Sequence, residues 1–187
     1  REAEQKKNAG SSHNWNSLFM RQDTVAEVVA AGHGLEKSEL LDAEENSSMA
    51  VRMALGETSV IAQTKKALTA AGVNVASLTV ATKPKHRSKT AMLVKNLPFK
   101  VEESELVDLF SRHGDVARLV LPSTKTTAIV DFLEPTDARK AFKALAYSRF
   151  KQQPLYLEWA PEDVFNADAP VLASAARGQT APKSANA

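Results

Sequence analysis

Residues 83–89, "KPKHRSK", carry four basic side chains in a short span: Lys83, Lys85, Arg87 and Lys89. A compact basic run of this kind binds polyanions such as phosphate chains by releasing counterions, and it does so without reading a sequence. The formal net charge of the whole chain is only +2, so the positive charge is concentrated locally. A solvated linker explains such a run equally well.

Residue types that support catalysis are scattered or missing. The four histidines, His13, His33, His86 and His113, lie in different segments, and the chain has no cysteine. We find no Gly-rich phosphate loop, metal-ligand spacing or nucleophile elbow. No apolar run approaches the roughly 20 residues that span a bilayer. The sequence therefore predicts a non-catalytic protein with no cofactor, metal, small-molecule substrate or membrane partner.

The elements that must position any binding residues are clearest over residues 90–161. Strand-like alternation recurs in "AMLVKNL", "VARLVLP", "TTAIVDF" and "PLYLEWA", and helical spacing separates them in "SELVDLFSRHG" and "EPTDARKAFKALA". The order is βαββαβ, which predicts an α+β fold of the ferredoxin-like type. In this arrangement two helices cover one face of a four-stranded antiparallel sheet, and we expect the other face to be open.

The rest of the chain divides by composition. We expect a flexible segment at 1–14, a small helical region at 15–80, a basic linker at 81–89 and a disordered linker or tail at 162–187. Three helices are predicted in the helical region: "DTVAEVVAAG" ending at Gly32, "ELLD" capped by Ser38, and a long one closed by Gly72 that kinks or breaks at Gly56. The alternative is an extended linker that becomes helical only against a partner. The chain begins with Arg1, and its first residues have neither the hydrophobic region nor the cleavage site typical of a signal peptide, so we expect it to be a segment of a longer protein.

Two of these strands match a known pattern. "MLVKNL" at 92–97 and "KTTAIVDF" at 125–132 resemble the two signature strands of an RNA recognition motif (RRM). Together with "NWNSLFM", "VRMALGET", "SKTAMLVKNLPF" and "LYLEWAP", they resemble the multiple RNA-binding domain family of the small-subunit processome, which are multi-RRM pre-rRNA processing factors. The resemblance covers about residues 13–162 and implies a middle RRM with its preceding helical linker. It also implies pre-rRNA, small nucleolar RNA (snoRNA) and processome proteins as partners, and a location in the nucleus and nucleolus.

Alternation decides which side chains face RNA on such a sheet. Leu93, Thr127 and Ile129 point to the open face where the family normally places stacking rings. Because stacking is worth about 1–3 kcal/mol per base, we expect weak single-strand affinity, with Tyr156 as the only ring on that face. Lys95 and Glu158 lie on adjacent strands and either pair or hydrogen-bond a base edge. The predicted RNA-contacting residues are Lys83, Lys85, Arg87, Lys89, Leu93, Lys95, Arg118, Val120, Lys125, Thr127, Ile129, Tyr156 and Glu158, with a second basic surface of Arg139, Lys140, Lys143, Arg149 and Lys151.

Two functions fit these residues. The first is an RNA-binding segment that relies on contacts to the phosphate backbone. The alternative is a protein-docking module, in which the aliphatic face formed by Leu93, Val120 and Ile129 receives a peptide or a helix and the helical region is a further anchor.

Overall fold

The structure, a computed structural model, describes residues 22–32, 46–79, 86–166 and 169–170. The described elements in chain order are α1 (Gln22–Gly32), α2 (Asn46–Ala70), α3 (Val75–Thr79), β1 (Arg87–Lys95), α4 (Glu103–Ser111), β2 (Val116–Val120), β3 (Thr127–Phe132), α5 (Pro135–Leu145), β4 (Arg149–Phe150), β5 (Gln153–Pro154) and β6 (Tyr156–Pro161). Within these ranges, no helix combines the length and the apolar character needed to cross a membrane.

Four strands form one antiparallel sheet in the order β2-β3-β1-β6. With α4 and α5 between the strands, this confirms the predicted α+β fold and its four-stranded sheet. An additional hairpin, β4–β5, precedes the last strand and pairs Arg149 with Pro154 and Phe150 with Gln153. The sequence analysis missed it because each of its strands is only two residues long, too short for alternation to show.

The main core lies between the sheet and its two covering helices. Met92 and Val94 of β1 and Ala128 and Val130 of β3 are fully buried there, as alternation predicts. On β6, Trp159 stacks on Phe142 of α5, with ring centroids 4.9 Å apart and planes within 6°. The inward half of each strand therefore builds this core, and the outward half lies on the opposite face.

The N-terminal helices differ from expectation at one point. The helix α1 lies at Gln22–Gly32 as predicted, but α2 runs through Gly56 without a break. Gly56 lies where α1 crosses α2, because a Cβ at this position would overlap the side chain of Val29. The glycine thus allows close helix packing and is not a kink. The predictions for residues 1–14 and for the helix at Ser38 fall outside the described residues.

Two predicted boundaries also shift. Strand β1 begins at Arg87, inside the predicted basic linker. At the other end, Val164 is 1% exposed although it lies beyond the predicted end of the domain at residue 161. Folded structure therefore extends into the segment that composition assigned to a tail.

Candidate nucleic-acid interface

The sheet face opposite α4 and α5 is covered, which corrects the expectation of an open face. Residues 64–79 and 162–166, here called the lid, lie across it. Leu93 and Ile129, predicted to face RNA, are each 0% exposed. The residues that meet in this second core are Leu68, Val73, Leu78 and Val164 from the lid and Ala91, Leu93, Val120, Ile129 and Ala160 from the sheet, with Ala71, Val75 and Phe165 at its margin.

Polar contacts connect the lid to the sheet domain and join its two parts to each other. The hydroxyls of Thr64 and Thr124 lie 2.6 Å apart in a buried site. The two parts of the lid are joined by backbone hydrogen bonds, from Asn74 N–H to the Val164 carbonyl (2.8 Å) and from Asn166 N–H to the Gly72 carbonyl (2.8 Å). These two bonds form a short antiparallel bridge between the two parts of the lid.

Arg118 and Asp131 lie on the same covered face. The Arg118 guanidinium is 5.2 Å from the centre of the Phe165 ring, a cation–π contact with the lid. Burial raises the pKa of the neighbouring Asp131 carboxyl, while a hydrogen bond from Thr90 and the charge of Arg118 oppose the rise. Arg118, predicted to contact RNA, is thus engaged inside the protein.

Burial changes the status of four predicted contact residues. Leu93, Val120 and Ile129 do point to the predicted face, but they are buried in the core under the lid, and Thr127 is also buried, at 1% exposed. The physical reason is their chemistry, because a contiguous aliphatic surface without rings is costly to leave in water and favours an apolar cover. In this arrangement RNA bases cannot touch them.

At one corner of that face, charged side chains lie beside an exposed tyrosine. There Lys95 Nζ lies 2.6 Å from one oxygen of Glu158, and Arg87 Nη1 lies 2.8 Å from the other. The predicted Lys95–Glu158 pair is present, and it is partly buried, since the Lys95 side chain is only 10% exposed. Tyr156, opposite Lys95 in the pairing of β1 with β6, is 44% exposed.

The remaining predicted cations divide into paired and unpaired groups. Lys125 and Lys151 contact Glu102 and Glu105 at the start of α4, at 3.3 Å and 2.5 Å. The hydrogen bond from Lys151 and one from the backbone N–H of Glu102 lower the pKa of Glu105. Lys140 pairs with Asp137 on its own helix at 2.9 Å. Among the predicted cations, four are exposed and have no ion pair to any described residue: Lys89, Arg139, Lys143 and Arg149. Lys83 and Lys85 lie outside the described residues.

The sequence analysis missed the lid residues themselves. Leu68 near the end of α2 and Val73 just after it are apolar, as a lid requires, and so are Val164 and Phe165 shortly after the last strand. This signal was too short to distinguish from ordinary helix and linker composition. In the part of the chain described by the structure, no cluster of histidines and carboxylates is placed to hold a metal ion.

Comparison with known families decides the nature of the sheet domain. Residues 92–156 match the family described as RNA recognition motif. The chain contains an RNA recognition motif. The matched residues run from the second half of β1 to the first residue of β6.

The RRM and the helices before it are both found in larger relatives. The chain is 47% identical over 170 residues to human "Probable RNA-binding protein 19", covering 91% of this chain and 18% of that protein. It is 46% identical over 170 residues to "Multiple RNA-binding domain-containing protein 1" of Dictyostelium discoideum, covering 91% and 19%. The chain thus spans about a fifth of the length of these relatives. The name of the Dictyostelium protein confirms the resemblance to proteins with several RNA-binding domains.

Among solved structures, the chain is similar to the second RNA-binding domain of a hypothetical protein. The identity is 47% and the TM-score 0.42, and the match covers 53% of this chain and 94% of that domain.

Proposed function

We propose that this chain is a non-catalytic RNA-binding segment of a nucleolar factor for pre-rRNA processing and small ribosomal subunit assembly. It binds pre-rRNA or snoRNA mainly through phosphate contacts, next to processome proteins. The matched RRM and the names of the relatives support RNA as the ligand class. The single observation that carries the mode of binding is the lid, because it removes the aliphatic sheet face from contact with RNA.

The exposed cations of α5 and the β4–β5 hairpin are where the RNA backbone binds. Arg139 and Lys143 lie four residues apart on α5, so they project from the same side of the helix. Arg149 follows in the hairpin, and none of the three has an ion pair within the described ranges. Side chains of this kind contact phosphate oxygens and give affinity that falls with salt.

The neighbouring helix α4 sets the edge of this surface. Its first turn carries Glu103 and Glu105, and the Glu105 carboxylate together with that of Glu102 engages Lys151 and Lys125. Phosphates are repelled by uncompensated carboxylates and gain less from cations that are already paired. The RNA backbone therefore follows α5 and not α4.

Binding of the intact chain to a labelled, structured pre-rRNA fragment tests this proposal by fluorescence anisotropy at several salt concentrations. Arg139→Ala with Lys143→Ala is expected to weaken binding severalfold and to reduce the salt slope by about 2, one for each lost phosphate contact. Lys65→Ala with Lys66→Ala is the matched control, because it also removes two exposed helical cations, but from α2. Equal effects of the two double variants would contradict a defined backbone surface.

Protein docking is the second candidate, and one observation favours it: the sheet face already accepts a helix end and the short segment after β6 of the same chain. A face of this composition suits apolar protein segments better than bases. Sedimentation of the tagged chain with purified pre-ribosomal particles separates the two functions. Docking predicts that the Arg139/Lys143 double variant still co-sediments after RNase treatment, whereas RNA binding predicts that it does not.

A further inference from the structure

The start of β1 contains a short bulge that lies outside the regular strand pairing. Strand β6 pairs with Arg87 and next with Met92, whereas pairing with β3 starts at Ala91. Residues 88–90 therefore have no pairing partner in the described part of the sheet. Ser88, the first residue of this bulge, is partly exposed. An enzyme can reach a side chain at such a position without opening the hydrogen-bond ladder of the sheet.

The Ser88 hydroxyl oxygen is held as an acceptor, while its proton is only weakly engaged. The Oγ accepts from the backbone N–H groups of Ala91 (2.9 Å) and Thr90 (3.2 Å). The Thr90 hydroxyl donates to Asp131, so Ser88 is the donor in the 3.3 Å contact between the two hydroxyls. Hydroxyl bonds of normal strength are shorter, at about 2.5–3.0 Å. The Ser88 proton is therefore available for transfer, and the two N–H groups are placed to stabilise negative charge on Oγ.

Cations flank Ser88 in the sequence. They occupy the positions five, three and one before it and the position directly after it: Lys83, Lys85, Arg87 and Lys89. No acidic residue lies within residues 83–89. Protein kinases select their substrates partly by charge, and kinases with carboxylates along the substrate groove favour serines in basic stretches. The charge pattern around Ser88 fits this class, the basophilic serine/threonine kinases.

We propose that Ser88 accepts a phosphoryl group from ATP through a basophilic serine/threonine kinase, and that this modification weakens the binding of polyanions by the chain. In the transfer, Ser88 Oγ attacks the γ-phosphorus of ATP, the bond from that phosphorus to the β,γ-bridging oxygen breaks, and ADP leaves. The hydroxyl proton passes to the catalytic carboxylate of the kinase. The consequence for RNA rests on the proposed function, whereas the modification itself does not.

A phosphate on Ser88 lowers the positive charge of the basic run. Residues 83–89 carry four basic side chains and no acidic one, and a phosphate of about −2 cancels about half of that charge. The phosphate adjoins Arg87, whose Nη1 bonds Glu158 at 2.8 Å, and it competes with that carboxylate for the guanidinium. Fewer cations are then left to release counterions from an RNA backbone. The modification therefore acts as an electrostatic switch.

The site is tested by treating the intact chain with ATP and the purified catalytic domain of protein kinase C, a basophilic kinase, and locating the phosphate by peptide mass spectrometry. We expect modification of Ser88, and Arg87→Ala with Lys89→Ala should slow it severalfold. Ser123→Ala is the matched control, because Ser123 is also exposed but has no basic residue among the four that precede it. Phosphate found only on other residues, or at Ser88 at the same rate in the double variant, would overturn the assignment.

The switch is tested by elution from heparin and by fluorescence anisotropy with a labelled pre-rRNA fragment. The phosphorylated chain should elute at lower salt, bind the RNA severalfold more weakly and lose about 1–2 from the salt slope. Phosphatase treatment should restore the original values, and kinase-treated Ser88→Ala should match its untreated form. Unchanged elution and RNA affinity after full modification of Ser88 would refute the switch. If neither form binds the RNA, the proposed function fails, while mass spectrometry and heparin elution still decide on Ser88.

Discussion

The hydroxyl of Thr124, in the loop between β2 and β3, lies 2.6 Å from that of Thr64 on α2. Thr64 also lies 2.7 Å from the Val60 carbonyl, which can only accept, so the Thr64 proton is used there. Thr124 must therefore donate its own proton to Thr64. This buried bond ties the lid helix to a loop of the RRM.

Replacing Thr64 by valine should destabilise the protein, because the donor of Thr124 loses its acceptor inside the core. The expected loss in the free energy of unfolding is about 1–3 kcal/mol, measured by urea denaturation. Thr69→Val is the control, since Thr69 makes the same bond to the carbonyl four residues before it but lies exposed. A loss in Thr69→Val as large as in Thr64→Val would show that the inter-element bond contributes nothing.

Truncating Leu68 tests whether the lid is part of the folded core. Leu68 is 0% exposed, so Leu68→Ala should cost about 2–5 kcal/mol in the free energy of unfolding. Leu55→Ala, on the same helix but 66% exposed, should stay within about 0.5 kcal/mol of the original. Urea denaturation measures both variants, and dye binding to exposed apolar surface should increase only for Leu68→Ala. Similar small losses in both would mean that the sheet is stable without its cover.

Gly72 is placed where no side chain fits without strain. Its φ is +78°, and a Cβ would lie 2.7 Å from the Cα of Ala169. Gly72→Ala should therefore lower the melting temperature and speed hydrogen exchange of the Asn74 and Asn166 amides, with a loss of about 1 kcal/mol or more. Gly72→Asn separates the backbone strain from the steric overlap with Ala169, because asparagine tolerates a left-handed φ but still carries a Cβ. Unchanged exchange at both amides in Gly72→Ala would refute the close approach.

Asp131 should make the free energy of unfolding decrease as pH rises, because burial raises its pKa. Burial raises its pKa in the folded protein above the ordinary value of 3.8, so the folded state binds the proton more tightly than the unfolded state. The contribution of protonated Asp131 to the free energy of unfolding is complete below pH 3.8 and is lost as pH rises through the pKa of the folded protein. Asp131→Asn has no such loss, so its stability relative to the original should increase as pH rises from 3.8 toward neutrality. Urea denaturation of both proteins across this pH range measures the difference, and a constant difference would contradict the raised pKa.

Local patterns predicted most of the RRM. Alternation assigned Leu93 and Ile129 to the face away from the helices, which leaves their neighbours Met92, Val94 and Val130 on the helix-covered face, and the structure confirms this. Such predictions succeed because side chains in a strand alternate with a period of two, whatever the rest of the chain does. The predicted Lys95–Glu158 pair follows from the same rule, since the two residues project from one face of adjacent strands.

The partners of that second face were not predictable in this way. The sequence by itself determined that Leu93, Val120 and Ile129 form an aliphatic surface without stacking rings. Only the tertiary structure decided that Leu68, Val73 and Val164 bury it and that Tyr156 stays outside. The reason is distance along the chain: the contact of Thr64 with Thr124 joins residues 60 positions apart, and no local periodicity reports which element packs on which face.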